Sequence, residues 1–276
     1  MLFVGFTICF CFFYQKYLKY GNFTLHNPIC MDESLTKGRR SLNVDIYSIP
    51  IESFFHSAFS IDCVVFGIER KEVQVLLIQR GAAPFENYWA LPGDLVFPDE
   101  DLDTAAVRIL RDLTSLKDIH FKQVKTFGEV NRHPLGRVIT IAYYAFVKLE
   151  DYAPVASFWA KRTRWHSIDA LPKLAFDHRN IIDTCAAKLK EDIIQYPIWK
   201  DVLPTKFTLT QLQEVYEGVL KTTFDKGNFR KKVASYRFLK ALNEMQTGVS
   251  HRPAELYSFN QREFDKARQK GWRFDL

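Results

Sequence analysis

Two domains are predicted, an α/β sandwich and then a small helix–helix–hairpin module, and three observations carry that prediction. Between residues 60 and 167, short runs rich in Val, Ile, Phe and Tyr are mixed with one well-marked amphipathic stretch at 101–116, the pattern of strands covered by a helix. A longer amphipathic stretch, 176–195, ends that region. Beyond Tyr196-Pro197 the pattern changes to short capped helices with one strand pair among them. At 276 residues the chain is long enough for two cores.

Residues 1–52 read as an N-terminal extension. Leu2–Tyr14 is nearly continuous apolar sequence, yet about a third short of the ~20 residues that a spanning helix needs. It lacks the basic lead and small-residue cleavage pattern of a secretory signal. Three readings stay open: a start placed upstream of the real one at Met31, a short anchor, or a packed N-terminal element. The first is preferred, and no stable membrane association is expected.

Within 53–175, Ser60–Glu69 and Glu72–Arg80 are strand-like runs around a charged turn, Arg70-Lys71. Residues 81–99 read as a loop containing Trp89, and Asp101–Leu116 as a helix with Leu102, Ala106, Ile109, Leu110, Leu113 and Leu116 on its apolar stripe. Phe121–Val130 and Arg137–Lys148 are further strands about the turn His133-Pro134-Leu135-Gly136, and Thr163–Ser167 is a last one. Phe176–Gln195 is a helix with Ile181, Ile182, Cys185, Leu189 and Ile193 on its apolar side; residues 176–197 are the expected connector.

In 198–276, Thr208 and Gln211 form a capping-box signature ahead of Leu209, Leu212, Val215, Tyr216, Val219 and Leu220 at helical spacing. Asp225 is placed to cap the next helix, with Phe229, Val233 and Tyr236 on its buried side. Lys240–Met245 and Glu255–Phe259 pair across a loop, and Asn260 with Glu263 starts a final helix. Helix, helix, hairpin is the layout of a winged helix-turn-helix.

Charge concentrates in this second module. From Lys206 onward there are fourteen Lys and Arg against eight Asp and Glu, while residues 1–205 hold twenty-four of each. The whole excess of +6 therefore sits at the C-terminal end, which points to a polyanionic partner. Between Lys226 and Lys240 lie six basic residues and no acid. A helical wheel sets Arg230, Lys231, Ala234 and Ser235 on the side away from Phe229 and Val233, the side a recognition helix presents to the major groove. The expected DNA-contacting residues are Lys226, Asn228, Arg230, Lys231, Lys232, Ser235 and Arg237, with Arg252 on the wing. Five scattered cysteines without ligand spacing suggest neither a disulfide framework nor zinc, which fits a reducing, cytoplasmic setting.

Leu91-Pro92-Gly93-Asp94, Glu100 and the helix Ala105–Leu113 together resemble a Nudix box, the magnesium- and diphosphate-holding loop–helix of Nudix hydrolases, whose pattern is G-x5-E-x7-R-E-U-x-E-E-x-G-U. Aligned on Glu100 and Arg108, the spacing holds without a gap. The contents differ: Asp94 replaces the first glycine, Ile109, Asp112 and Leu113 the three helix glutamates, and Ser115 the last glycine. Those glutamates share one helix face, so a single, shorter carboxylate remains there. No catalytic residue, metal site or cofactor is expected, magnesium entering only if hydrolysis persists. Glu100 and Arg108 are read as a structural pair holding loop to helix.

Over residues 53–276 the chain resembles the Nudix-related transcriptional regulators of bacteria, which control NAD metabolism or, in one branch, the use of arabinose and related sugars. The resemblance rests on Gln79-Arg80-Gly81, Trp89-Ala90-Leu91-Pro92-Gly93, Gly136-Arg137-Val138, Leu174-Ala175-Phe176-Asp177-His178, Phe207-Thr208-Leu209-Thr210 and Asp225-Lys226-Gly227-Asn228-Phe229-Arg230. It implies an α/β (α+β) Nudix sandwich that binds a small effector, a C-terminal winged helix-turn-helix that binds a double-stranded operator, and a homodimer. Sugar is the first effector expected and an ADP-ribose-like nucleotide the second. Arg80, Trp89, Glu100, Asp112, Glu129, Asn131, Arg132 and Arg137 are the candidate effector-binding residues, on the ground that a Nudix fold brings them to one cleft. The alternative is a Nudix hydrolase of nucleoside diphosphate derivatives using Glu100 and Asp112. His178 reads as a satisfied helix-start residue.

Overall fold

The computed structural model describes residues 57–250 and 252–275. The extension at 1–52, including Leu2–Tyr14 and the Met31 start, lies outside the described residues, as does His251 of the wing loop.

A seven-stranded sheet forms the centre of the first lobe. Its spine is β1 (Ala58–Glu69) running parallel to β6 (Val138–Lys148) from Ala58↔Val138 to Ile68↔Lys148. Arg70 and Lys71, with φ of 44° and 72°, turn β1 into antiparallel β2 (Glu72–Arg80); two positive-φ residues match the twist of such a hairpin. β7 (Ala160–Ser167) lies antiparallel to β2, and β5 (Lys122–Phe127) antiparallel to β6. Alternation along β1 feeds two cores. Ile61, Cys63 and Val65 pack under α1 (Leu102–Thr114), while Val64 and Phe66 pack under α2 (His178–Gln195).

Several boundaries differ from the sequence expectation. The stretch 81–99 contains β3 (Trp89–Ala90) and β4 (Gly93–Leu95), which pair with β2 and β1; two or three residues are too few to show a period. β5 stops at Phe127, leaving 128–130 to the following loop, and β7 begins three residues earlier than expected. α1 is shorter at both ends, starting after an Asp101 cap that accepts the Thr104 N–H at 2.7 Å. It ends at Ser115, which adopts the left-handed φ of 61°, the conformation that explains a family glycine there. α2 starts at His178, because Phe176 has a φ of 50°.

The second lobe is a winged helix. β8 (Phe207–Thr208), a strand the sequence did not reveal, leads into α3 (Leu209–Leu220), whose Thr208–Gln211 capping box is formed. α4 (Lys226–Ala234) is capped by Asp225, and the hairpin β9 (Leu239–Met245) and β10 (Glu255–Phe259) precedes α5 (Gln261–Gln269), capped by Asn260. The sheet order is β8-β10-β9.

One apolar core runs from the α2 face of the large sheet through Trp199 into Phe207, Tyr216, Phe229, Phe238, Phe264 and Phe274. The β1–β2 turn docks on α3 at Gly218, where an added Cβ would lie 2.6 Å from the Lys71 carbonyl oxygen. Lys71 Nζ is 2.6 Å from Glu217 Oε2. Lys221 pairs with Asp169. Residues 57–276 accordingly form one compact unit.

Candidate functional site

The altered box sits where α1 meets the sheet. Glu100 accepts two bonds from Arg108, at 2.8 Å from Nε and 2.6 Å from Nη2, and a third from the Phe97 N–H at 2.8 Å. Arg108 also donates to the Leu95 carbonyl at 2.9 Å, and its guanidinium lies 3.8 Å from the centre of the Phe97 ring. Glu100 and Arg108 therefore tie the loop to the helix. Ile109 and Leu113 point into the core and are buried. Asp112 is half-buried, with Arg111 at 3.3 Å. Among the described residues no three His, Cys, Asp or Glu side chains gather as a metal site would require. The donor set does not fit the magnesium of a Nudix hydrolase, because two of three helix positions are hydrocarbon and Glu100 is committed to Arg108.

A different polar cluster fills the end of the sheet under α2. Ser60 and Asp62 of β1 and Thr140 of β6 project from the same face; Ser60 and Thr140 share a hydroxyl hydrogen bond of 2.6 Å. Arg132 reaches over them, donating to Thr140 and to both oxygens of Asp177, at 2.9 and 2.6 Å, with Asp62 3.9 Å away. His178 accepts the Leu91 N–H on Nδ1 at 2.9 Å, so Nε2 holds the proton and faces Asp62 at 3.6 Å. Burial raises the Asp62 carboxyl to about 7 against the opposing pull of Arg132. Burial, then the charges of Arg80 and Arg132, lower His178 to about 3, so this histidine is neutral.

The remaining candidates divide around this cluster. The Arg80 guanidinium lies 4.9 Å from both the Trp159 and Phe176 rings and donates from Nε to the Pro84 carbonyl at 2.8 Å. Phe176 in turn stacks on His133. Glu129 and Asn131 are exposed on the loop between β5 and β6, and Arg137 closes that loop by donating to the Gly128 carbonyl at 2.5 Å. Trp89 is half-buried against the α2-side core with its ring edge on His166. Thus Arg80, Arg132 and the 129–137 loop converge near the start of α2, whereas Glu100 and Asp112 lie on the α1 layer and Trp89 packs half-buried against the α2-side core. Sequence reasoning missed Asp62, His133, Thr140 and Phe176. The available signal was Asp62 itself, a carboxylate in the interior of a largely apolar strand.

On the second lobe, α4 buries Phe229 and Val233 and exposes Lys226, Asn228, Arg230 and Lys231, with Ser235 and Arg237 exposed just beyond. Arg230 reaches Thr210 Oγ1 at 3.3 Å, and Ser235 Oγ caps the Lys232 carbonyl at 2.6 Å. Lys232 is half-buried, its Nζ 2.7 Å from Asp275 Oδ1 near the C-terminus. Arg252 is exposed on the loop between β9 and β10.

Residues 57–185 match the NUDIX domain family, and residues 200–259 match the family described as NrtR DNA-binding winged helix domain. The chain belongs to the Nudix-related transcriptional regulators. It is similar to the "ADPR responsive transcriptional repressor NtrR" of Acinetobacter baylyi, 29% identical over 210 residues, 75% of this chain and 83% of that protein. It is also 33% identical over 129 residues to the ADP-ribose pyrophosphatase of Methanocaldococcus jannaschii, 47% of this chain and 73% of that one. In structure it resembles Shewanella oneidensis NrtR complexed with a 27mer DNA, with a TM-score of 0.64 and 26% identity over 78% of this chain and 97% of the other. The sandwich and the winged helix follow one another in a single chain. This member departs from the hydrolase box at Asp94, Ile109, Asp112, Leu113 and Ser115.

Proposed function

We propose that this protein is a DNA-binding transcriptional repressor whose operator affinity responds to an ADP-ribose-type nucleotide. The observation that carries the DNA half is α4, whose apolar side is consumed by its own core while Arg230 and Lys231 stand exposed opposite it. Likeness along nearly the full length of a relative crystallised on DNA supports the same reading. The choice of nucleotide rests on relatives named for ADP-ribose; the sugar that the family resemblance put first has no such support. In this reading 53–175 bind the effector, 176–197 connect, and 198–276 read DNA as one half of a homodimer. Equal affinity of the nucleotide for DNA-competent and incompetent states would shift nothing, so it binds one of them better.

The test is fluorescence anisotropy with a duplex from the protein's own promoter region, against random duplex at the same salt. Specific binding that changes with ADP-ribose and not with arabinose is expected; equal affinity for both duplexes would overturn it.

One observation favours a second reading, a hydrolase: the likeness to a pyrophosphatase. The buried Ile109 and Leu113 weigh against it. Incubation with ADP-ribose and magnesium or manganese decides it, turnover abolished by Asp112→Asn being the result that would favour the enzyme.

A further inference from the structure

Two consecutive loop residues grip two consecutive residues at the start of α2. Arg132 holds both oxygens of Asp177, at 2.9 and 2.6 Å. His133 stacks on Phe176 with ring centroids 4.9 Å apart and planes within 12°. Both helix residues are held away from what their positions favour. Asp177 occupies the N-cap of α2, where aspartate ordinarily accepts an N–H of the first turn, yet its side chain makes no capping bond. Phe176 has a φ of 50°, a region costly for a residue with a Cβ. Such strain persists only where the surroundings over-determine it, and here they are His133, on the loop that also carries Glu129, Asn131 and Arg137, together with the Phe85 ring at 4.8 Å and the Arg80 guanidinium at 4.9 Å.

The far end of α2 meets the winged helix. The Ile194 carbonyl accepts the Phe274 N–H at 2.8 Å. The Phe274 ring stacks on Tyr216 of α3 at 3.8 Å and lies 6.2 Å, centroid to centroid, from Phe229 of α4. One rigid helix thus joins the cleft loop to the core beneath the DNA-facing surface.

We propose that the Arg132-His133 and Phe176-Asp177 clamp is the joint through which cleft occupancy reaches the DNA-reading helix, an inference that rests on the regulator reading above. The clamp supplies the two arrangements that a switch requires. Closed, Asp177 serves Arg132 and Phe176 is strained. Released, Asp177 caps its own helix and Phe176 relaxes. A nucleotide that pulls the 129–137 loop toward itself favours release.

Asp177→Asn keeps a good N-cap and breaks the ion pair, and Asp177→Ser also caps the helix while its short, uncharged side chain cannot hold Arg132 through two oxygens, so the second variant keeps the fold if the first weakens it. In the full chain, operator affinity is measured with and without saturating ADP-ribose, with calorimetry for nucleotide binding and thermal melting for fold. The parent ratio is expected between about 5- and 150-fold. Both variants should bind ADP-ribose, show a ratio within about twofold of unity, and already hold, without nucleotide, the operator affinity of the nucleotide-bound parent. Variants that keep the parent ratio overturn the clamp and leave the regulator reading intact. Loss of nucleotide binding in both also overturns it, since the clamp would then be part of the pocket. A parent whose operator binding ignores ADP-ribose removes both ideas.

Discussion

The Nε2 atom of His178 lies 3.6 Å from an Asp62 oxygen, and both side chains are buried. Their shifts oppose one another. Asp62 titrates near 7 in the folded protein, so it holds a proton that the unfolded chain releases above about 4, and stability through this group falls as pH rises from 4 to 7. His178 titrates near 3, so the unfolded chain binds a proton that the folded one refuses, and stability through it rises from pH 3 to 6.5. Between about pH 4 and 6.5 the two slopes cancel. Asp62→Asn should therefore gain about 2 kcal/mol of stability between pH 4.5 and 6 relative to the parent, read by urea unfolding at both values. An unchanged difference would mean that the pair does not titrate this way.

Ser115 ends α1 at a φ of 61° with its N–H on the Arg111 carbonyl at 2.8 Å. A side chain costs roughly 1–2 kcal/mol in that conformation and glycine does not, although glycine loses more freedom on folding, by about 0.5–1 kcal/mol. Because Ser115 is exposed, no packing is lost. Ser115→Gly should raise stability by about 0.5–1 kcal/mol, visible as a higher thermal midpoint.

Gly218→Ala has the opposite sign. Alanine favours a helix interior by about 1 kcal/mol, but its Cβ would lie 2.6 Å from the Lys71 carbonyl oxygen and 2.8 Å from Ile68 Cδ1. Backbone cannot yield as a flexible side chain does, and overpacking of this kind costs about 1–3 kcal/mol. Net destabilisation is expected, with both lobes melting in one transition because the contact joins them. Separate transitions in the parent would argue against the continuous core.

Elements with a clear period were legible in the sequence. The apolar side of α2, Ile181, Ile182, Cys185, Leu189 and Ile193, is the buried side, and the caps at Thr208, Asp225 and Asn260 are formed. β3, β4 and β8 were not legible, because pairs and triplets of residues carry no period. The candidate site was legible only as a set of polar residues. Arg132 was expected to face an effector, yet its partner Asp177 comes from a distant stretch, and nothing local indicates that an N-cap aspartate forgoes its helix. Lys232 is expected among the DNA-contacting residues, and nothing in the local sequence indicates its pairing with Asp275.

Asp275 supplies the final prediction. Its carboxylate, exposed near the C-terminus, holds Lys232 Nζ at 2.7 Å on the margin of the α4 surface. An exposed pair of this kind is worth little to the fold, so Asp275→Asn should leave the melting temperature unchanged. Its effect on DNA is larger, because the substitution removes a negative charge beside the phosphates and frees a cation to meet one. Each added phosphate contact steepens the dependence of log affinity on log salt by about 0.9. Asp275→Asn should therefore bind both promoter and random duplex several-fold more tightly at low salt, with that gain shrinking as salt rises. In a double-mutant cycle, Lys232→Ala, which lacks the cation, should reduce the effect of Asp275→Asn on affinity to the part that comes from the lost carboxylate charge and remove its effect on the salt slope. Anisotropy titrations over a salt series measure both, and a salt slope unaltered by Asp275→Asn would show that Lys232 never reaches the duplex.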